Sequence, residues 1–185
     1  MHKQIAPKKI LFLELSEMGA IILSRLAIEK AKNIYPDAEF YFWTFRENRE
    51  ILELIGIIPE KNIIVMRSKG FFSLFLDTIR NIWEIRRLRI DTIIDMELFS
   101  RFSSILSYLS GAVNRVGFYG GIDKSIYRGQ LHSRLASYVS YKHISKNFLS
   151  LVDCLSVSLN LDRFLPEQKF SLTKVKIDAQ DIRNI

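Results

Sequence analysis

At 185 residues the chain is long enough for one domain with a proper core and for little more. Its single cysteine, Cys154, excludes an internal disulfide framework and a cysteine-based zinc cluster, and no apolar run reaches the ~18 residues that a membrane-spanning helix needs. The net charge of +7 favours anionic partners (nucleotides, phosphorylated sugars, acidic lipid or nucleic acid) without choosing among them.

Residues Met1 to Lys9 are polar and no small-residue cleavage site follows, so the reading is of a protein without a signal peptide, in a reducing cytoplasmic compartment. Ile10–Leu15 then reads as a buried strand that turns on Gly19 into a helix, Ala20–Ile34, with apolar residues at helical spacing. Tyr35-Pro36-Asp37 ends that helix, because the residue before a proline disfavours the helical region. Glu39–Phe45 is an aromatic-rich second strand, Asn48–Ile55 a short helix closed by Gly56, and Ile63–Met66 a third strand. Phe71–Leu88 is a long helix, Thr92–Met96 a fourth strand, Arg101–Leu109 a helix closed by Gly111, and Arg115–Phe118 a short fifth strand. Tyr119 to Tyr141 loses periodicity and reads as a long functional or mobile loop, followed by a last helix, His143–Leu161. Cys154 falls in the apolar pattern of that helix, as a buried structural thiol would. Strands alternating with helices of this length predict a doubly wound, mostly parallel α/β sheet of Rossmann-like type, with ligands outside the strand carboxyl ends. Residues 1–165 form this domain, and a polar tail, 166–185, reads as a linker or the start of a further domain.

With the elements placed, LELSEMGAIILSRLAIEKAKNIYPDAEF, DTIIDMELFSRFSSILSYLSGAVNRVGF and KHISKNFLSLVDCL resemble the N-terminal domain of glycosyltransferase family 9, the heptosyltransferase-like enzymes of lipopolysaccharide assembly. The resemblance rests on the order and spacing of a Ser-containing loop, an Arg-x-Gly-Phe turn and a histidine-led last helix over roughly residues 9 to 160. It implies half of a GT-B arrangement, in which this domain receives a glycolipid acceptor and an absent C-terminal domain holds the nucleotide-sugar donor. It further implies sugar transfer to a lipopolysaccharide-type or other surface glycan, and no transfer by the 185 residues alone; no cofactor and no metal are expected, and peripheral contact at the inner membrane is the alternative that the helix Phe71–Leu88 raises for a cytoplasmic protein. The departure is Ala20. The family usually has an aspartate immediately after the glycine, placed to take the acceptor hydroxyl's proton, and alanine cannot act as a base.

Inverting transfer needs a carboxylate or histidine at the acceptor oxygen, and cations or helix N-termini for the departing diphosphate. Glu97, which follows the fourth strand, is the first candidate for the base, and Glu17, in the first turn, is the second. Glu14 flanks the same turn, and Asp95 inside the strand reads as structural. Ser16, Gly19, Arg101, Tyr119, Tyr127, Arg128 and His143 are the candidate substrate-binding residues, with His132 and Arg134 in the same basic loop. Each has a plain alternative: a solvated glutamate at a helix N-terminus, a surface Glu97–Arg101 pair, a solvated basic loop, a helix-start histidine. The helix Phe71–Leu88 is expected to face the core with a basic solvent face; the alternative is docking to an anionic membrane. Neither a dinucleotide fingerprint, a phosphate loop, a nucleophile elbow nor metal-ligand spacing is present, and the dispersed basic residues argue against nucleic acid. The rival readings are a degenerate, non-catalytic domain that binds glycan or a partner, and a basic nucleotide-binding module.

Overall fold

The computed structural model describes residues 6–98, 100–119 and 131–157. Its strands are β1 (Lys9–Leu13), β2 (Glu39–Phe45), β3 (Ile63–Met66), β4 (Thr92–Asp95), β5 (Asn114–Tyr119) and β6 (Arg134–Ser137). Its helices are α1 (Met18–Ile34), α2 (Arg49–Ile55), α3 (Phe71–Leu88), α4 (Arg101–Leu109) and α5 (Ile144–Val157). The strands pair in parallel in the order β3-β2-β1-β4-β5-β6. The chain therefore builds outward from β1 in one direction and outward from β4 in the other. The boundary between β1 and β4 is the topological switch point of the sheet, where open α/β folds leave a crevice.

A sheet covered on both faces must be apolar on both, which is why β1 and β2 read as nearly continuous hydrophobic runs. Ile10, Phe12, Phe40, Phe42, Ile94, Val116 and Phe118 pack with α1, α2 and α5 on one face. Leu11, Leu13, Tyr41, Trp43, Ile64 and Ile93 pack with Ile85 of α3 and Leu106 of α4 on the other. Helices α1 to α4 end where the sequence says. Tyr35 caps α1, and Gly56 (φ 65°) and Gly111 (φ 79°) take the left-handed conformation that releases the chain from α2 and α4.

Three expectations are corrected. Gly19 is not a turn: α1 begins at Met18 behind an extended Glu17, whose carbonyl already accepts the Ile21 N–H, so Gly19 is the second helical residue and the turn is residues 14–17. The stretch 119–141 is not all loop, because β6 pairs in parallel with β5 from Val116↔Arg134 to Tyr119↔Ser137. Residues 120–130, and with them the expected mobility of that loop, lie outside the described residues, as do the predicted bound of the last helix at Leu161 and the tail from 166. Third, α3 does not turn its aromatic stripe to the core. Asn81 and Ile85 are its buried residues, while Phe72 and Trp83 are 80% and 61% exposed. Cys154 is half-buried on α5, where burial pushes its thiol pKa up, as befits a structural thiol.

Candidate functional site

At the switch point, the β1–α1 turn is pinned from both neighbouring strands. From the β4 side, Glu97 Oε1 accepts the N–H groups of Leu15 and Ser16 at 2.9 and 3.1 Å and the Ser16 hydroxyl at 3.0 Å. From the β2 side, the buried Asn48 amide donates to the Leu15 carbonyl at 2.8 Å. Three donors converging on one carboxylate oxygen is the arrangement that satisfies loop N–H groups that no strand or helix can reach.

Behind Glu97 lies a second buried layer. Asp95 closes β4 and is fully buried. Its Oδ1 accepts the Glu97 N–H, and its Oδ2 accepts the Ser103 hydroxyl at 3.0 Å and meets His132 Nε2 at 3.0 Å. The histidine ring occupies the space above Gly117, where a Cβ would stand 2.5 Å from Nε2. The Arg-x-Gly-Phe stretch is strand in the structure, not a turn, and its Gly117, inside β5, is glycine for a packing reason, not a backbone one. Ser103 sits in the first turn of α4, whose N-cap Ser100 accepts the Ser103 N–H, so the buried pair also fixes the start of that helix.

In front of Glu97 is a hollow of about 350 Å³ lined by Glu14, Ser16, Glu17, Ala20, Glu97 and Ser100, with Met96, Leu98, Ile144 and Phe148 as its apolar side. Glu14 follows β1 on the face shared by Phe12 and is 3% exposed. Burial is the main cause that lifts its pKa from 4.5 to about 9; the neighbouring Glu97 adds to it, the Glu17 N–H opposes it, and Asp95 and Glu17 add a little more. Glu14 therefore holds a proton at neutral pH and presents a carboxylic acid to the hollow. The site combines hydroxyl-sized hydrogen-bonding groups, a proton-bearing acid and an apolar wall, which suits a polyhydroxyl ligand. No group of three or more His, Cys, Asp or Glu side chains among the described residues could hold a metal ion.

Of the predicted site residues, Glu97, Glu17 and Ser16 come together here. Gly19 is exposed on α1 and Arg101 is exposed at the start of α4, neither lining the hollow. Tyr119 is half-exposed at the carboxyl end of β5. His143 precedes α5, where its Nδ1 meets the Ser145 hydroxyl at 2.8 Å in a capping arrangement, one residue from the lining Ile144. Tyr127 and Arg128 lie outside the described residues. A larger hollow, about 410 Å³, runs along the edge strand β3, remote from the switch point. Arg67 and Asp77 pair there through two bonds of 2.8 Å, and that guanidinium holds the Asp77 carboxyl down at about 2.

Sheet order, switch-point crevice and flanking helices together define a Rossmann-like α/β domain with a carboxylate-lined site. In sequence, no protein-family model and no curated protein matches the chain. In structure, it is similar to E. coli heptosyltransferase WaaC solved with ADP-2-deoxy-2-fluoro heptose, at a TM-score of 0.67 and 15% identity over 80% of this chain and 48% of that one. It is also similar to E. coli ADP-heptose lipopolysaccharide heptosyltransferase II (0.63, 17%, 78% and 40%) and to a family 9 glycosyl transferase from Veillonella parvula (0.63, 16%, 85% and 44%). The likeness is one of fold, and it falls on the same family that the sequence motifs resemble. The chain spans under half the length of each of these structures.

Proposed function

We propose that this chain is the acceptor-side half of a glycosyltransferase of GT-B arrangement, moving a sugar from a nucleotide-sugar donor to a hydroxyl of a lipopolysaccharide-type or other surface glycan. The donor would be held by a second domain facing the strand carboxyl ends. One observation carries the reading: Glu97, at the end of β4, reaches across the switch point to the β1–α1 turn and lines a hollow of sugar size with Glu14 and Glu17. In the reaction, the acceptor oxygen attacks the donor's anomeric carbon and the bond to the diphosphate breaks. The acceptor's proton passes to Glu97, or to Glu17 as the second choice, which restores the carboxylate function missing at Ala20. Glu14, as the acid, donates a hydrogen bond to a neighbouring sugar hydroxyl. Ser16 and Ser100 offer further hydroxyl partners.

Ala20 favours a second reading. It lines the hollow beside Leu98, Ile144 and Phe148, giving an apolar wall where the resemblance places a base. A domain with that wall could bind glycan or a partner without chemistry.

Titration of the chain with deacylated lipopolysaccharide core oligosaccharide, followed by amide NMR, tests the acceptor assignment. Shifts concentrated on Leu15, Ser16, Glu17 and Glu97 are expected. Shifts produced instead by nucleotide-sugar at the same amides would assign this half to the donor and overturn it.

A further inference from the structure

Helix α3 presents an apolar stripe to solvent. At about 100° per residue, the buried Asn81 and Ile85 and the core-packed Leu74 and Leu88 share one side of the helix. Phe72, Ile79 and Trp83 point the opposite way, with Phe75 and Leu76 on either side of them. All five are more than half exposed. Scattered exposed apolar residues are normal, but a contiguous stripe of this size marks a surface that meets something other than water.

The charges beside the stripe identify its occupant. Exposed Arg80 and Arg87 border it on the Leu76 flank; on the Phe75 flank Arg86 is turned to α4, where its Nε donates to the Leu109 carbonyl at 2.8 Å. The Arg87 guanidinium lies 5.4 Å from the centre of the Trp83 ring. The acidic side chains of the helix, Asp77 and Glu84, lie round the back toward the packed side, and Asp77 is paired with Arg67. An apolar centre, a tryptophan and an arginine flank form the pattern of a helix lying in a membrane interface, in a chain carrying a net charge of +7. No helix among the described residues is long and apolar enough to cross a membrane.

We propose that α3 is a docking surface for an anionic lipid bilayer, lying parallel to it with Phe72, Ile79 and Trp83 below the headgroups and Arg80 and Arg87 on lipid phosphates. The inference stands independently of the sugar-transfer reading. It gives that reading a geometry, since α3 begins at the carboxyl end of β3, the same end of the parallel sheet as the candidate site.

The test uses the unmodified chain and vesicles of phosphatidylcholine, alone or mixed with phosphatidylglycerol. The chain has two tryptophans, and Trp43 is fully buried, so a quencher in solution reports on Trp83. Co-sedimentation with the phosphatidylglycerol vesicles is expected, weakened by salt, with a blue shift and loss of acrylamide quenching. Removing two interfacial arginines, Arg80→Gln with Arg87→Gln, should weaken binding roughly thirtyfold. Phe72→Ser should weaken it roughly tenfold or more. Both variants should keep the wild-type melting temperature, because these side chains leave the core untouched. Equal affinity for neutral vesicles, or none for anionic ones, overturns the proposal. So does a Trp83 already shielded without lipid, whether by a second copy detected in sedimentation velocity or by other parts of the chain in a monomer.

Discussion

Replacing Glu14 by glutamine should change the pH dependence of stability more than any other single substitution at the site. In the folded protein the Glu14 carboxyl titrates at about 9, against 4.5 in the unfolded chain. Between those values the folded state binds a proton that the unfolded state has released, so stability falls as pH rises, until both states are ionised above about 9. At about 1.4 kcal/mol per pH unit, wild type should lose roughly 4 kcal/mol between pH 5 and pH 8 through this group. That is a large fraction of the ~5–15 kcal/mol that holds a domain together. Glutamine keeps the shape and the oxygen that faces the Glu17 N–H at 3.5 Å but has no proton to lose. Urea unfolding at pH 5, 7 and 8 should therefore show Glu14→Gln close to wild type at pH 5 and progressively more stable above it. Parallel stability profiles for the two proteins would refute the claim that Glu14 is buried as a proton-bearing acid.

Gly117→Ala should destabilise the domain by about 1–3 kcal/mol, since the added Cβ meets a buried ring held by Asp95. In a His132→Ala background the same change should cost much less, and chemical denaturation of the four proteins of that cycle measures the difference. Equal penalties in both backgrounds would place the strain elsewhere. The 185-residue chain alone should transfer no sugar, because its proposed role is to present the acceptor, so release of nucleoside diphosphate in its presence should stay at the uncatalysed rate.

The fold was largely legible because buried parallel strands leave an unmistakable apolar signature. Glu39–Phe45, Ile63–Met66, Phe71–Leu88 and Arg101–Leu109 have the bounds that periodicity assigns them. Strand β6 was not legible: Arg-Leu-Ala-Ser at a sheet edge buries essentially one side chain, Ala136, and needs no β-branched run. For α3, spacing showed that an apolar stripe exists, but not that Asn81 and Ile85 would be the residues facing inward. At the site, the positions of Glu97 and Glu17 followed from strand-end logic. Glu14 had a signal that strand-end logic does not weigh, a lone carboxylate continuing the inward-facing register of Phe12. Asn48 and the Asp95–His132 pair had none, since each works through contacts made 33 and 37 residues away.

The central claim is that the carboxylate Glu97 removes the acceptor's proton at the switch point. The most direct measurement is turnover by the proposed two-domain enzyme, this domain joined to the proposed donor domain, comparing wild type, Glu97→Gln and Glu17→Gln with nucleotide-sugar and glycan acceptor. Glutamine at 97 can still accept from Leu15, Ser16 and the Ser16 hydroxyl, so the turn should stay in place and the melting temperature should hardly move. Without a base, turnover by Glu97→Gln should fall roughly 100- to 10,000-fold, and by Glu17→Gln considerably less. Wild-type turnover in both variants would contradict the account and leave the domain as a glycan- or partner-binding module.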